Sequence, residues 1–161
     1  MRFLLAMTSD EYKPIAFDFA RSMEGNCTQI IRIERIQNAT SYRQYSACRR
    51  DFNRRLNIDT EKRLYYGCAE QAIDSIINGK YDVDVYCSSN ATYSNEYTEE
   101  NTNRERSMFV LRVLLGRSAN GDPSMRTPPK GYDSTTDGND IFVIHDHAQI
   151  LPEYLITYKS K

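Results

Sequence analysis

Apolar residues recur at helical spacing near the start of the chain. Between Asp10 and Met23, Ile15, Phe19 and the pair Ser22–Met23 share one face, and Pro14 fits only in the first turn of such a helix. Gly25 and Asn26 break that pattern. The run TQIIRIERIQ then alternates apolar and polar residues and predicts a half-buried strand with Ile31 and Ile33 on one face. Helical spacing returns at Tyr42, Tyr45, Cys48–Arg49, Phe52 and Leu56, with Arg43, Arg50, Arg54 and Arg55 on the opposite side. Arg63–Tyr66 reads as a short strand ending at Gly67. Glu70–Ile77 reads as a helix with Ala72–Ile73 and Ile76–Ile77 inward, closed by Asn78–Gly79.

The second half is strand-rich. Asp82–Cys87 alternates and predicts a strand, and Ser89 is placed to cap a helical turn running to Tyr97. The segment SMFVLRVLLG is almost wholly apolar, as expected of a strand covered on both faces. Arg117–Gly131 carries Gly and Pro punctuation and reads as a loop. Asp140–His145 and Tyr154–Tyr158 are expected as the last two strands. Strands with short interspersed helices, and no regular β-α alternation, give an α+β class in one domain over residues 1–161.

Composition narrows the function classes. A net charge of −1 argues against a dedicated nucleic-acid binder, which carries a strong basic excess. The arginines of the second helix are a candidate phosphate-binding patch, weighed against an ordinary solvated face. The opening MRFLLAMTSDEY has too short an apolar run for a signal peptide, and no stretch is long enough to cross a membrane. Cys27, Cys48, Cys68 and Cys87 show no zinc spacing, so free thiols in an intracellular compartment are expected. The N-x-S/T triplets at Asn26, Asn38 and Asn90 are then read as chance matches. Twelve tyrosines and no tryptophan leave two readings open: half-exposed core edges, or a stacking pocket for a flat ligand. The alternation in His145-Asp146-His147 would put two imidazoles on one strand face, but no further ligand cluster supports a metal.

Six blocks follow one another in order: RIERIQN, RLYYGC, YCSSNATYSNEY, MFVLRVLLGR, YDSTTDG and IFVIHDHAQILPEYLITY. Together they span Ile30 to Tyr158 and resemble the catalytic domain of the poly(ADP-ribose) polymerase family, particularly its mono-ADP-ribosylating branch. The resemblance implies a split antiparallel β-sheet ADP-ribosyltransferase fold with short flanking helices. It implies NAD as substrate, transfer of ADP-ribose to a protein or nucleic acid, and no metal.

The same resemblance assigns candidate site residues. Tyr66-Gly67-Cys68 stands where the family has His-Gly-Thr/Ser. Gly67 would hold the nicotinamide amide through its backbone, with Cys68 beside it, and Tyr66 replaces the histidine that orients the ribose. Its extra bulk is expected to crowd that ribose. Tyr86 and Tyr97 match the two rings that sandwich nicotinamide, and Ser94 matches the hydroxyl that bonds its amide. Ile141 stands where chain-forming members have glutamate, so poly(ADP-ribose) synthesis is not expected. The glycine-containing donor loop is absent: only residues 79–85 separate Asn78 from Tyr86, and Asp82 and Asp84 there would repel a diphosphate. Three readings follow. The chain is a weakly active or inactive transferase domain acting through interactions, an active mono-ADP-ribosyltransferase, or a nucleic-acid binder using the Arg49–Arg55 helix face.

Overall fold

The structure, a computed structural model, describes residues 1–81, 84–122 and 124–161. Its first half contains β1 (Arg2–Leu4), α1 (Tyr12–Ser22), β2 (Cys27–Ile36), α2 (Ala39–Leu56), β3 (Glu61–Cys68) and α3 (Ile73–Ile77). The second half contains β4 (Val85–Ser88), α4 (Ala91–Asn95), β5 (Arg106–Leu114), β6 (Ser118–Asn120), β7 (Ser134–Thr136), β8 (Ile141–Ile144) and β9 (Ile150–Ser160). Among the described residues these strands form one sheet in the order β1-β2-β9-β5-β3-β4-β8-β7-β6. Every pairing is antiparallel except β6 with β7. This is the expected α+β class.

The apolar run at β5 explains the layering. Alternate residues of a strand face opposite sides. Met108 and Val110 pack with Phe19, Ile15 and Met23 of the α1 side, whereas Phe109, Leu111 and Val113 pack with Ile73, Ile76 and Ile77 of the α3 side. A strand flanked by β3 and β9 and covered on both faces has no polar side left, which is why its sequence shows no alternation. A third, smaller cluster seats α2 through Tyr45 and Phe52 on Leu114 and Leu151.

Several boundaries differ from the sequence reading. β2 carries register irregularities around Cys27–Gln29 and Ile30–Arg32, so Ile30 rather than Ile31 packs alongside the cluster that holds Ile33. A bulge adds a residue to one strand and flips the pattern downstream of it. The helix expected over Glu70–Ile77 begins as a 3-10 turn over Glu70–Ala72 and becomes α-helical at Ile73. Part of the strand expected from Asp82 lies outside the described residues, as do Val83 and Pro123; from Val85 onward β4 is as expected. The expected loop after Arg117 contains β6, and β1 and β7 have no counterpart in the periodicity because three-residue strands are too short to show one. β8 ends at Ile144, and Asp146 caps a 3-10 turn over His147–Gln149 by accepting from the Ala148 amide. His145 and His147 therefore do not continue one strand.

Two of the N-x-S/T asparagines are helix caps. Asn38 accepts from the Ser41 amide at 3.1 Å, and its Nδ2 donates to the Ile77 carbonyl at 3.1 Å, tying α2 to the end of α3. Asn90, not Ser89, caps α4 by accepting from the Thr92 amide at 3.0 Å. Asn38→Ala removes both bonds. Loss of an asparagine cap costs roughly 1–2 kcal/mol, which for a chain of this size lowers Tm by roughly 2–8 °C. A thermal melt followed by circular dichroism checks this, and an unchanged Tm would refute the bracing role.

Some of the α2 arginines are paired within the chain, while Arg54 stays 80% exposed, 4.0 Å from Asp51. Arg49 pairs with Asp59 at 2.6 Å and with Glu61 at 3.4 Å, Arg55 pairs with Asp133 at 2.7 Å, and Arg43 donates to the Ala39 carbonyl. Such pairing leaves less positive charge to attract phosphates than the sequence count suggests.

Candidate functional site

The site lies at a seam. β3 pairs with β5 along its whole length, from Glu61 to Cys68, yet among the described residues it meets β4 only at Tyr65 opposite Ser88. Beyond that rung the two strands part. The gap is a cleft of about 660 Å³ lined by Tyr66, Gly67, Cys68, Ala69, Ala72, Asp84, Tyr86 and Tyr97. That volume suits a small-molecule site.

The wall of this cleft is set by Gly67. Its Cα sits against α4, such that a Cβ would come within 2.0 Å of the Ser94 carbonyl oxygen. Only glycine allows that approach. The contact is locked by Ser94, whose buried hydroxyl donates to the Tyr65 carbonyl at 2.9 Å. α4 is thereby stapled to β3 at the level of the seam, and its C-terminal turn carries Tyr97 to the cleft mouth. Ser94 itself lies behind Gly67 and does not line the cleft.

Tyr86 and Tyr97 are the exposed rings of the site, at 45% and 54%. Exposed aromatic surface facing a cleft is apolar area available to a flat ligand. Tyr97 is held by Tyr93: the two hydroxyls are 3.1 Å apart and the ring centroids 5.2 Å. Partial burial and the Tyr97 hydroxyl push the Tyr93 phenol above its ordinary pKa. Tyr66 occupies the other wall. Its ring meets Tyr81 edge-on at 6.2 Å and packs on the cluster containing Leu64 and Cys68. It borders both the main cleft and a smaller cavity of about 290 Å³ with Lys80 and Tyr81. Cys68 is buried among apolar side chains, which pushes its thiol up to about 12 and leaves it uncharged.

A second cleft, of about 270 Å³, shares Tyr86 as a wall. It is lined by Ile141, Val143 and His145 of one face of β8 and its continuation, with Thr135, Asp122 and Asp137 around them. Here His145 Nδ1 meets Asp84 Oδ1 at 2.9 Å, and Nε2 lies 3.4 Å from Thr135 Oγ1. The other histidine goes elsewhere: His147 stacks edge-on to Tyr81 at 5.2 Å. Among the described residues no three His, Cys, Asp or Glu side chains are grouped to hold a metal. Nor is any described helix long and apolar enough to cross a membrane.

A family model for the poly(ADP-ribose) polymerase catalytic domain matches residues 9–140. The chain belongs to the poly(ADP-ribose) polymerase family. A protein named as a probable poly(ADP-ribose) polymerase of Dictyostelium discoideum is 31% identical over 95% of this chain and 51% of its own length. The mouse protein mono-ADP-ribosyltransferases PARP12 and PARP11 are 28% and 27% identical over 97% and 92% of the chain, and 25% and 57% of their own lengths. The chain thus spans from about a quarter to just over half of the length of these curated relatives. Within this poly(ADP-ribose) polymerase domain, the structure brings Tyr66, Gly67, Cys68, Tyr86 and Tyr97 to one cleft and Ile141 to the next. The Asp84–His145 contact and the Tyr93–Tyr97 pair were not found from sequence. Both depend on register and helix phase across elements, which the one-dimensional pattern does not carry; the only hint was the unusual His145 at a strand end.

Proposed function

We infer that residues 1–161 are one mono-ADP-ribosylating domain with a weakened donor site, slow in turnover or inactive and then acting through interactions. Gly67, Tyr86 and Tyr97 meeting in one cleft at the β3–β4 seam is the observation that carries this reading. The two rings would sandwich nicotinamide, and the Gly67 backbone would hold its amide. Ser94 would assist only by turning its hydroxyl from the Tyr65 carbonyl toward the ligand. The rest of NAD is less well served. α3 ends at Ile77 and β4 begins at Val85, so residues 78–84 leave no length for a donor loop over the diphosphate. Asp84 adds a carboxylate to that cleft.

Breaking the nicotinamide–ribose bond develops positive charge on the ribose, so positioning of the sugar dominates the rate. Tyr66 in place of an orienting imidazole weakens that positioning. With Ile141 at the third position, no carboxylate there polarises the hydroxyl of a growing chain, and products stop at single ADP-ribose units. Calorimetry with 3-aminobenzamide and with NAD tests the donor site. The fragment should bind more tightly than NAD, and the reverse order would sink the reading. Gel analysis after incubation with labelled NAD should give single additions and no ladder.

A further inference from the structure

We propose that His145, oriented by Asp84, is the base that takes the proton of the acceptor group in the cleft on the Ile141 side of Tyr86. This rests on the mono-transfer reading above and names the residue that would carry its second half. The register places it. Tyr86 pairs with Val143, and Val85 with Ile144. Ile141 lies two residues from Val143 in one direction and His145 two residues in the other, all on one face of β8 and its continuation. His145 is therefore as near the Tyr86 rung as Ile141 is, roughly 7 Å along the strand at the usual rise per residue. An acceptor lying over Val143 would have an aliphatic side chain at one end and an imidazole at the other.

The hydrogen bonds give that imidazole the right form. With Nδ1–H donated to Asp84 at 2.9 Å, Nε2 is the unprotonated ring nitrogen that can receive a proton once an acceptor displaces the Thr135 hydroxyl. Thr135 Oγ1, 3.4 Å from Nε2, occupies the direction from which an acceptor hydroxyl would approach. Among the described residues the cleft has two other candidate bases, and both are poor. Asp137 accepts from the Asn139 and Ile141 amides, and Asp122 from Ser124. These bonds hold both carboxyls below the usual carboxylate range.

The step balances without a co-reactant. The acceptor oxygen bonds to the ribose carbon as the ribose–nitrogen bond breaks. The electron pair of that bond neutralises the pyridinium and nicotinamide leaves uncharged. The acceptor proton passes to Nε2, and the imidazolium formed is paired with the Asp84 carboxylate until the proton escapes to solvent.

The test measures transfer from labelled NAD by wild type, His145→Gln, His145→Ala and Asp84→Asn, with 3-aminobenzamide affinity as the check on the donor cleft. His145→Gln should lose at least about 100-fold in transfer rate, the usual scale for a general base, with fragment affinity within about twofold of wild type. Added imidazole should restore part of the rate to His145→Ala and none to His145→Gln, an effect that a purely structural role would not produce. Asp84→Asn should lower kcat several-fold even though removing its carboxylate from the donor cleft holds or lowers KM for NAD. Wild-type transfer with an undiminished His145→Gln overturns this proposal alone. Loss of rate together with fragment binding, or His145→Ala deaf to imidazole, also overturns it. No transfer by the wild type at all overturns this proposal and leaves the reading above in its inactive form.

Discussion

Gly67→Ala lowers Tm by roughly 2–12 °C and abolishes binding of 3-aminobenzamide. The added methyl would sit 2.0 Å from the Ser94 carbonyl oxygen and 3.0 Å from both the Ser94 carbonyl carbon and Thr98 Cγ2. Two of those three atoms are backbone, so no rotamer change relieves the clash, and α4 or β3 has to move. Overpacking of this kind costs roughly 1–3 kcal/mol, which converts to that Tm range at roughly 2–4 °C per kcal/mol. Moving α4 also breaks the Ser94–Tyr65 bond and carries Tyr97 out of line with Tyr86. Stability and binding therefore fall together. Should the variant fail to fold, Tyr97→Ala supplies the binding arm alone, because a side chain more than half exposed contributes little to the core. A Gly67→Ala protein with wild-type Tm and affinity would mean that α4 does not rest on β3.

Tyr66→His returns only part of the transfer rate expected of the family, and the same change with a grafted glycine-containing loop before Tyr86 exceeds either alone. The imidazole supplies a ribose-orienting donor and removes bulk. It also withdraws the ring that meets Tyr81 edge-on, at a cost of about 1 kcal/mol in stability. What the substitution does not supply is a hold on the diphosphate and adenosine. Binding energy from that remote half of the substrate is what brings the reacting bond to its strained pose, so its loss depresses turnover as well as affinity. Transfer rates for wild type, each single change and the pair, at low and saturating NAD, decide the matter. Robust transfer by the wild type, or full recovery with Tyr66→His alone, would show that the loop is dispensable.

The major elements were legible from sequence wherever one physical requirement dominated. β5 announced itself because both of its faces are covered, and α1 and α2 because one stripe of each is buried. The site's aromatic residues were assigned through family resemblance, since tyrosines at a strand end and on a short helix fit a core edge equally well. What stayed hidden was relational. The bulge in β2 that promotes Ile30 over Ile31 depends on the partner strand β9. Ser94 read as a ligand-binding hydroxyl, and its bond to the Tyr65 carbonyl emerges only once α4 lies on β3. His145 read as half of a possible metal pair, yet the chain turns at Asp146 and sends the two imidazoles to different neighbours.

The single rung between β3 and β4 has a mechanical consequence. The sheet is two rafts, β1-β2-β9-β5-β3 and β4-β8-β7-β6, moored at Tyr65–Ser88 and by the α4 staple. A ligand lying between Tyr86 and Gly67 touches both rafts at once. Its binding free energy is then also the free energy of holding the rafts together, and any opening fluctuation of the seam is paid twice, once in lost sheet contacts and once in lost ligand contacts. In this arrangement occupancy of the donor cleft and rigidity of the second raft are one variable seen from two sides. Because Asp84, Tyr86, Ile141 and His145 all ride on that raft, filling the first cleft also steadies the second.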